Sequence, residues 1–208
     1  VSSNKVVIFS KSADRGLVKT RLQQILTEEE CLSLHVALLR DTLEKLKVFS
    51  PILYLAGSGY LPWSVDVPIC PQTGSDLGER LFQAFGKELG LDSKVVVVGI
   101  DSPTFPVELV SRSFALLDGC DAVFGPSEDG GYYLIGLRTV IPEIFQNISW
   151  GKSTVLKETL EQIGSHSYAL LETSFDIDTP HDLARLERAL PDKPSLVHLY
   201  AWMQARRK

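Results

Sequence analysis

Residues 94–103 read KVVVVGIDSP, four consecutive valines that end in Gly99, Ile100, Asp101, Ser102 and Pro103. A short uninterrupted β-branched run marks a strand buried on both faces, the form that strands of a parallel α/β sheet take. The run therefore predicts that Asp101 stands at a strand's carboxyl end. In open α/β sheets ligands bind in the crevice beyond those ends, where a short carboxylate suits a cation or a ribose. Ser102 and Pro103 then stop the strand and turn the chain. The same aspartate also reads as a plain cap for the helix that begins near Thr104 or Pro106.

Outward from this run, strand and helix signals alternate without a linker, a low-complexity segment or an internal repeat. Residues 5–10 (KVVIFS) predict a first strand, and Thr27 with three glutamates after it is a capping-box pattern that opens a helix to about Val48. A strand follows at residues 51–56, then a helix capped by Asp76 and closed by Gly90. After the valine strand come a helix over about 106–117 and two strands, 121–124 and 132–137, around a glycine-rich turn. Helices over 153–163 and 180–190 flank a strand at 168–171, and a last helix runs over about 195–206. Such alternation predicts a single α/β domain over residues 1–208, with a mostly parallel sheet and helices on both faces.

Composition narrows the function classes. A length of 208 residues with 44% hydrophobic content supports one sizeable core. The net charge of −5 excludes a broad electrostatic surface for nucleic acid or anionic membrane, so any phosphate binding has to be local. Cys31, Cys70 and Cys120 are odd in number and far apart, which fits neither a disulfide framework nor a zinc site and predicts a reducing, cytoplasmic setting. No apolar run approaches the roughly 18 residues of a membrane span, and no signal-peptide pattern is present. A Gly-x-Ser-x-Gly elbow is lacking. His35, His166, His181 and His198 have no metal-ligand spacing and read as ordinary surface or boundary residues.

Three segments concentrate polar chemistry. The first strand runs into Lys11, Arg15, Lys19 and Arg21 around Gly16, a basic island in an acidic chain. Cationic side chains and free amides converging on a bend can hold a diphosphate, although a solvated loop of charges looks the same in sequence. Neither the Walker order nor the Gly-x-Gly-x-x-Gly fingerprint is present. In the second segment Glu128 and Asp129 precede Gly130 and Gly131, which a hairpin turn explains without function. In the third, Asp176 and Asp178 alternate with Phe175 and Ile177, so both carboxylates point to one side of an extended chain. Thr179 and Pro180 then open a helix, with Asp182 as a capping residue.

Together these segments resemble the radical-SAM/selenodomain-associated transferase-1 proteins, within the GT-A-like nucleotide-diphospho-sugar transferase superfamily. The matching pieces are FSKSADRGLVKTRL at 9–22, QTGSDLGERL at 72–81, GIDSP at 99–103, GPSEDGGYYLIGL at 125–137, ISWGKSTVL at 148–156 and FDIDTPHDL at 175–183. They cover most of the chain in the family's order. The chain departs from the pattern at Ala13 and Arg15, where the first motif usually has prolines.

The resemblance implies a GT-A-like, Rossmann-related domain with a sugar-nucleotide or nucleoside-triphosphate site over the carboxyl ends of the sheet. In that reading Asp101 anchors Mg²⁺ or Mn²⁺ on the diphosphate, and Asp178 is the second carboxylate, ahead of Asp176. Lys11, Arg15, Gly16, Lys19 and Arg21 surround the phosphates, and Asp76 with Arg80 lies where the base or sugar is selected. Asp129 contacts the acceptor or its hydroxyl, and Trp150 either stacks on a ligand or packs in the core. The expected activity is glycosyl transfer from a nucleotide-sugar to a small-molecule acceptor. Nucleotidyl transfer from a triphosphate to a phosphorylated small molecule is the alternative, and a non-catalytic nucleotide-binding module is a third.

Overall fold

The computed structural model describes residues 4–206. Strands β1 (Lys5–Lys11), β2 (Ile52–Ala56), β3 (Ile69–Pro71), β4 (Val95–Gly99), β5 (Ala122–Pro126), β6 (Tyr132–Leu137) and β7 (Tyr168–Leu170) form one sheet in the order β3-β2-β1-β4-β6-β5-β7. All neighbours pair in parallel except β6, which is antiparallel to both β4 and β5. The exception follows from chain length. Parallel neighbours need a long crossover, whereas the glycine-rich turn after β5 is short enough only for a hairpin. That turn requires Gly130: its φ is +91°, and a Cβ there would lie 1.9 Å from the Ser153 carbonyl oxygen.

The valine run behaves as its composition dictates. Val95, Val96, Val97 and Val98 are all buried, with Val96 and Val98 in one core layer and Val95 and Val97 in the other. Helices α1 (Glu28–Leu46), α3 (Glu108–Leu116), α5 (Pro180–Ala189) and α6 (Val197–Arg206) supply Leu38, Val110, Leu186 and Leu199 to the first layer. The second is closed by α2 (Leu77–Glu88), through Leu81 and Phe85, and by Ile144 and Ile163 beside α4 (Val155–Gln162). Each fully buried leucine or phenylalanine contributes about 1.5–3 kcal/mol of transfer free energy.

Local signals set the helix starts. Thr27 and Glu30 form a reciprocal capping box on α1, as Thr179 and Asp182 do on α5. Asp76 caps α2 by accepting from the Glu79 amide, while the Glu79 carboxylate reaches back to the Ser75 amide at 2.6 Å. Strand β3 has no counterpart among the sequence expectations: three residues with Ile69 half exposed and Pro71 at the end carry too little periodicity to register.

At the end of the sheet where β5 and β7 begin, Asp121 ties the start of β5 to the chain before β7. Its carboxylate accepts from the Ser167 amide at 2.9 Å and from Arg138 Nη2 at 2.6 Å. The Ser167 amide first, and then Arg138, hold its pKa down to about 2. A carboxyl depressed in the folded state adds stability above its unfolded pKa and loses it as pH falls through the folded value. Asp121→Asn is therefore expected to cost about 1–3 kcal/mol at pH 7. The gap to the parent protein should close between about pH 4 and pH 2. Urea unfolding across that range checks this, and a pH-independent gap would contradict it.

Candidate functional site

A cavity of about 580 Å³ opens along the carboxyl ends of β3, β2, β1 and β4. Each strand end contributes: Gln72 after β3, Ala56 from β2, Ser10 and Lys11 from β1, and Gly99, Ile100 and Asp101 from β4. Lys19, Arg21, Arg80, Asp176 and Asp178 add charged groups to the lining. The last two arrive because residues 171–178 run across this edge of the sheet. Leu171 N–H donates to Phe124 O, Ser174 N–H to Pro126 O, and Ile177 N–H to Asp101 O at 2.8 Å.

Lys19 is the centre of the arrangement. Its side chain is only 4% exposed, and Nζ lies 2.6 Å from Asp101 Oδ1 and 3.1 Å from Asp178 Oδ1. The same ammonium donates to the Ile177 carbonyl at 2.7 Å. Burial pulls its pKa down, but the two carboxylates outweigh burial and hold it above the ordinary lysine value. For Asp101 the surrounding protein pushes the carboxyl up, and Lys19 more than reverses this, leaving it below the usual carboxylate range. Asp101 remains open to the cavity, with 48% of its side chain exposed. Lys19 also has a left-handed backbone, φ 49°, a conformation that costs a non-glycine residue about 1–2 kcal/mol. The three contacts of the ammonium hold it there. Arg21 adds a second, exposed cation 3.5 Å from Asp178 Oδ2.

Asp176 lines the same cavity. It accepts a hydrogen bond from the buried Ser102 hydroxyl, and its pKa is pushed up to about 7. Burial is the main cause, reinforced by the charges of Asp101, Asp129 and Asp178 and opposed by the Ser102 bond. His35 corrects a sequence expectation: it is buried in α1 and lines the cavity. Its Nε2 donates to the Lys11 carbonyl at 3.0 Å, which fixes the end of β1, and burial lowers its pKa toward the neutral ring. The family-like segment at 72–81 contributes a residue that was not singled out. Gln72 Nε2 donates to the carbonyls of Ser10 and Tyr54, each at 3.0 Å, so its amide oxygen is the end free for a ligand.

The other expected residues stand outside the cavity lining. Arg15 pairs with Glu28 at 3.4 Å on the surface, and Gly16, at φ +78°, turns the chain beside the same carboxylate. Asp76 caps α2 and is exposed, while Arg80, one turn on, does line the cavity and donates to Gly74 O at 3.1 Å. Asp129 holds its own turn, accepting from the Ser127 hydroxyl and from the Gly131 amide at 3.0 Å. Trp150 packs rather than faces the cavity: it meets Tyr132 edge-on, and its indole fills the space where a Gly78 side chain would be. Ala13 is buried, and Asp14 pins the loop by accepting from the Ser58 hydroxyl at 2.5 Å. The loop without its prolines is thus tied down from the β2 side.

Among solved structures, the chain is 30% identical to a candidate nucleotide-diphospho-sugar transferase from Desulfovibrio desulfuricans G20, with a TM-score of 0.87 over 100% of this chain and 96% of that one. The chain belongs to that protein's family, the nucleotide-diphospho-sugar transferase-like proteins. Residues 55–152 also match the family described as "Uncharacterized protein conserved in bacteria (DUF2064)". A curated relative, 2-phospho-L-lactate guanylyltransferase from Methanocaldococcus infernus, is 25% identical over 175 residues, 81% of this chain and 78% of its own. The fold alone is shared with Rv0371c from Mycobacterium tuberculosis H37Rv, solved in complex with manganese, at 17% identity and a TM-score of 0.51 over 89% of this chain and 98% of that one.

Among the described residues no group of three or more His, Cys, Asp and Glu side chains is arranged to hold a metal ion. Two hard oxygen donors, Asp101 and Asp178, nevertheless converge on one point of positive charge. Such a pair fits Mg²⁺ or Mn²⁺ that takes its remaining ligands from phosphates and water.

Removing the ammonium should expose what it balances. Lys19→Met is expected to destabilise the fold by about 1–3 kcal/mol, less than for a fully buried pair because Asp101 stays open to solvent. Adding Asp101→Asn should recover part of that loss, as measured by urea unfolding of both single variants and the double variant. Additive losses would contradict the pairing.

Proposed function

We propose that the chain is a divalent-cation-dependent transferase that takes a nucleotide-diphospho-sugar as donor and delivers the sugar to a small-molecule acceptor. The observation that carries this reading is the convergence of Lys19, Arg21, Asp101 and Asp178 in one cavity at the carboxyl ends of β1 and β4. Carboxylates beside cations, with one aspartate open to the cavity, suit a ligand that brings both a metal and phosphates. Membership in the nucleotide-diphospho-sugar transferase-like family supports the donor class. The manganese complex of a protein with the same fold supports the cation.

Each residue has a task in this mechanism. Arg21, with Lys11 at the cavity wall, holds the diphosphate oxygens, Lys19 supplies fixed positive charge beneath them through its three contacts, and Asp101 and Asp178 would hold the cation. When bound, the cation neutralises charge on the departing diphosphate. The acceptor hydroxyl oxygen forms a bond to the anomeric carbon as the bond to the diphosphate oxygen breaks. The diphosphate keeps that electron pair, and the hydroxyl proton passes to a base. Fixed cations near the growing charge lower the barrier because they need no reorganisation. At the other end of the cavity, Gln72 offers an acceptor oxygen to an N–H of the base. Asp129 is the candidate for orienting the acceptor hydroxyl, from a turn that its own hydrogen bonds keep rigid.

A second reading, nucleotidyl transfer from a nucleoside triphosphate to a phosphorylated small molecule, is favoured by the guanylyltransferase relative. It uses the same cations on the phosphates but breaks the bond between the α- and β-phosphates, and it releases pyrophosphate. Turnover of nucleotide-sugars and of triphosphates, with pyrophosphate measured in parallel, separates the two: sugar transfer leaves a nucleoside diphosphate and no pyrophosphate. Asp101→Asn is expected to abolish Mn²⁺-dependent strengthening of nucleotide binding while leaving the chain folded. Calorimetric titration with and without Mn²⁺ checks this, and an unchanged metal-dependent affinity would return Asp101 to the role of a turn residue.

A further inference from the structure

The same edge of the sheet carries a second cavity, of about 360 Å³, at the ends of β5 and β7 and the start of α3. Phe105 and Leu109 form its apolar wall, with Phe175, Arg185 and Lys193 opposite. Tyr133 lines both cavities and so forms a shared partition. The chain beside it alternates in the same way: Phe175 lines the second cavity, and Asp176, the next residue, lines the first. Glu128, the neighbour of Asp129, also borders the second cavity.

The charges in this cavity are not balanced evenly. Glu128 and Arg185 satisfy each other through two hydrogen bonds of 2.5 and 2.9 Å, and the guanidinium lies 4.0 Å from the Phe175 ring centroid. Glu172 is paired with Arg112. Lys193, by contrast, has no carboxylate within salt-bridge distance among the described residues. Behind Phe105 lies a second lysine, Lys45, whose ammonium is 4.2 Å from that ring's centroid and donates to the Phe105 carbonyl at 3.0 Å. Burial chiefly, and the charge of Lys193 in addition, press Lys45 down to about 8, against the opposing pull of Asp41 and Glu108. Among the charged residues that line this cavity, Lys193 is therefore the cation left without an ion-pair partner, next to apolar surface.

Resting on the transferase reading, we propose that the second cavity is the acceptor site and that it takes a small organic anion. The carboxylate or phosphate of that anion lies beside Lys193, and its carbon skeleton packs on Phe105 and Leu109. The reacting hydroxyl then points across Tyr133 toward the first cavity. An anion there gives Lys193 the partner that Glu128 and Glu172, each taken up by an arginine, do not supply, whereas a neutral molecule of the same shape does not.

The test is calorimetric titration of the full chain with glycerol 3-phosphate, glycerate and neutral glycerol, on the parent protein and on Lys193→Gln, Ala189→Phe and Lys19→Met. Ala189 lines the cavity, so phenylalanine there fills it, while Lys193→Gln removes only a charge at a partly exposed position and keeps the fold. At least one of the two anions is expected to bind, and the stronger of them identifies the anionic group. Its affinity should fall about tenfold or more in Lys193→Gln and Ala189→Phe, as for loss of a charge-assisted contact. Lys19→Met should leave it unchanged, and glycerol should not bind. Loss in Lys19→Met without effect from the other two variants would assign the anion to the first cavity and overturn the proposal, as would the absence of anion binding up to about 10 mM. Nucleotide affinity, measured separately, tests the transferase reading: anion binding without nucleotide binding would sink that reading and leave the second cavity as an anion site.

Discussion

Three pieces of chain that are far apart in sequence meet at the Lys19 ammonium. The loop after β1 supplies the cation, the end of β4 supplies Asp101, and the segment across the sheet edge supplies Asp178 and the Ile177 carbonyl. Without the ammonium, two carboxylates would face each other beside a third, Asp176, in surroundings that already resist its ionisation. The cost of gathering negative charge at one point is met by one cation in a strained backbone conformation. That arrangement leaves Asp101 presented to the cavity rather than neutralised within the core.

The sheet topology sets a second cavity beside this local balance of charge. Because β6 runs antiparallel, it begins at the edge where its neighbours end, and Tyr132 and Tyr133 stand between the ends of β4 and β5. One cavity lies on the β1 side of that partition and another on the β5 side. In the proposed transfer the donor lies in one and the acceptor in the other, and the two meet at that partition. The short turn held by Asp129 and Gly130 is what makes the antiparallel insertion possible.

The valine strand was legible because a strand buried on both faces leaves a continuous β-branched run, and the position of Asp101 followed directly. The capped helices were legible from Thr27, Asp76 and Thr179 because capping chemistry is local. Strand β3 was not, since a three-residue edge strand has no pattern of its own. The basic island was found, but its division of labour was hidden. Lys19 and Arg15 look alike in sequence, yet one is buried between two aspartates and the other is an exposed partner of Glu28. Burial of a lysine depends on what crosses the sheet edge 158 residues away, at Ile177. His35 and Gln72 were hidden for the same reason, because their roles lie in hydrogen bonds to the backbone of β1.

The most direct test of the proposed phosphate site observes the Lys19 ammonium itself. A buried, triply engaged ammonium exchanges its protons slowly enough to be followed by nitrogen-detected or proton-detected NMR at neutral pH, with Lys19→Met assigning the signal. The predicted result is a signal present in the free protein that shifts when a nucleoside diphosphate is added and does not shift with the parent nucleoside. A diphosphate that binds measurably while the Lys19 signal stays where it was would contradict the central claim.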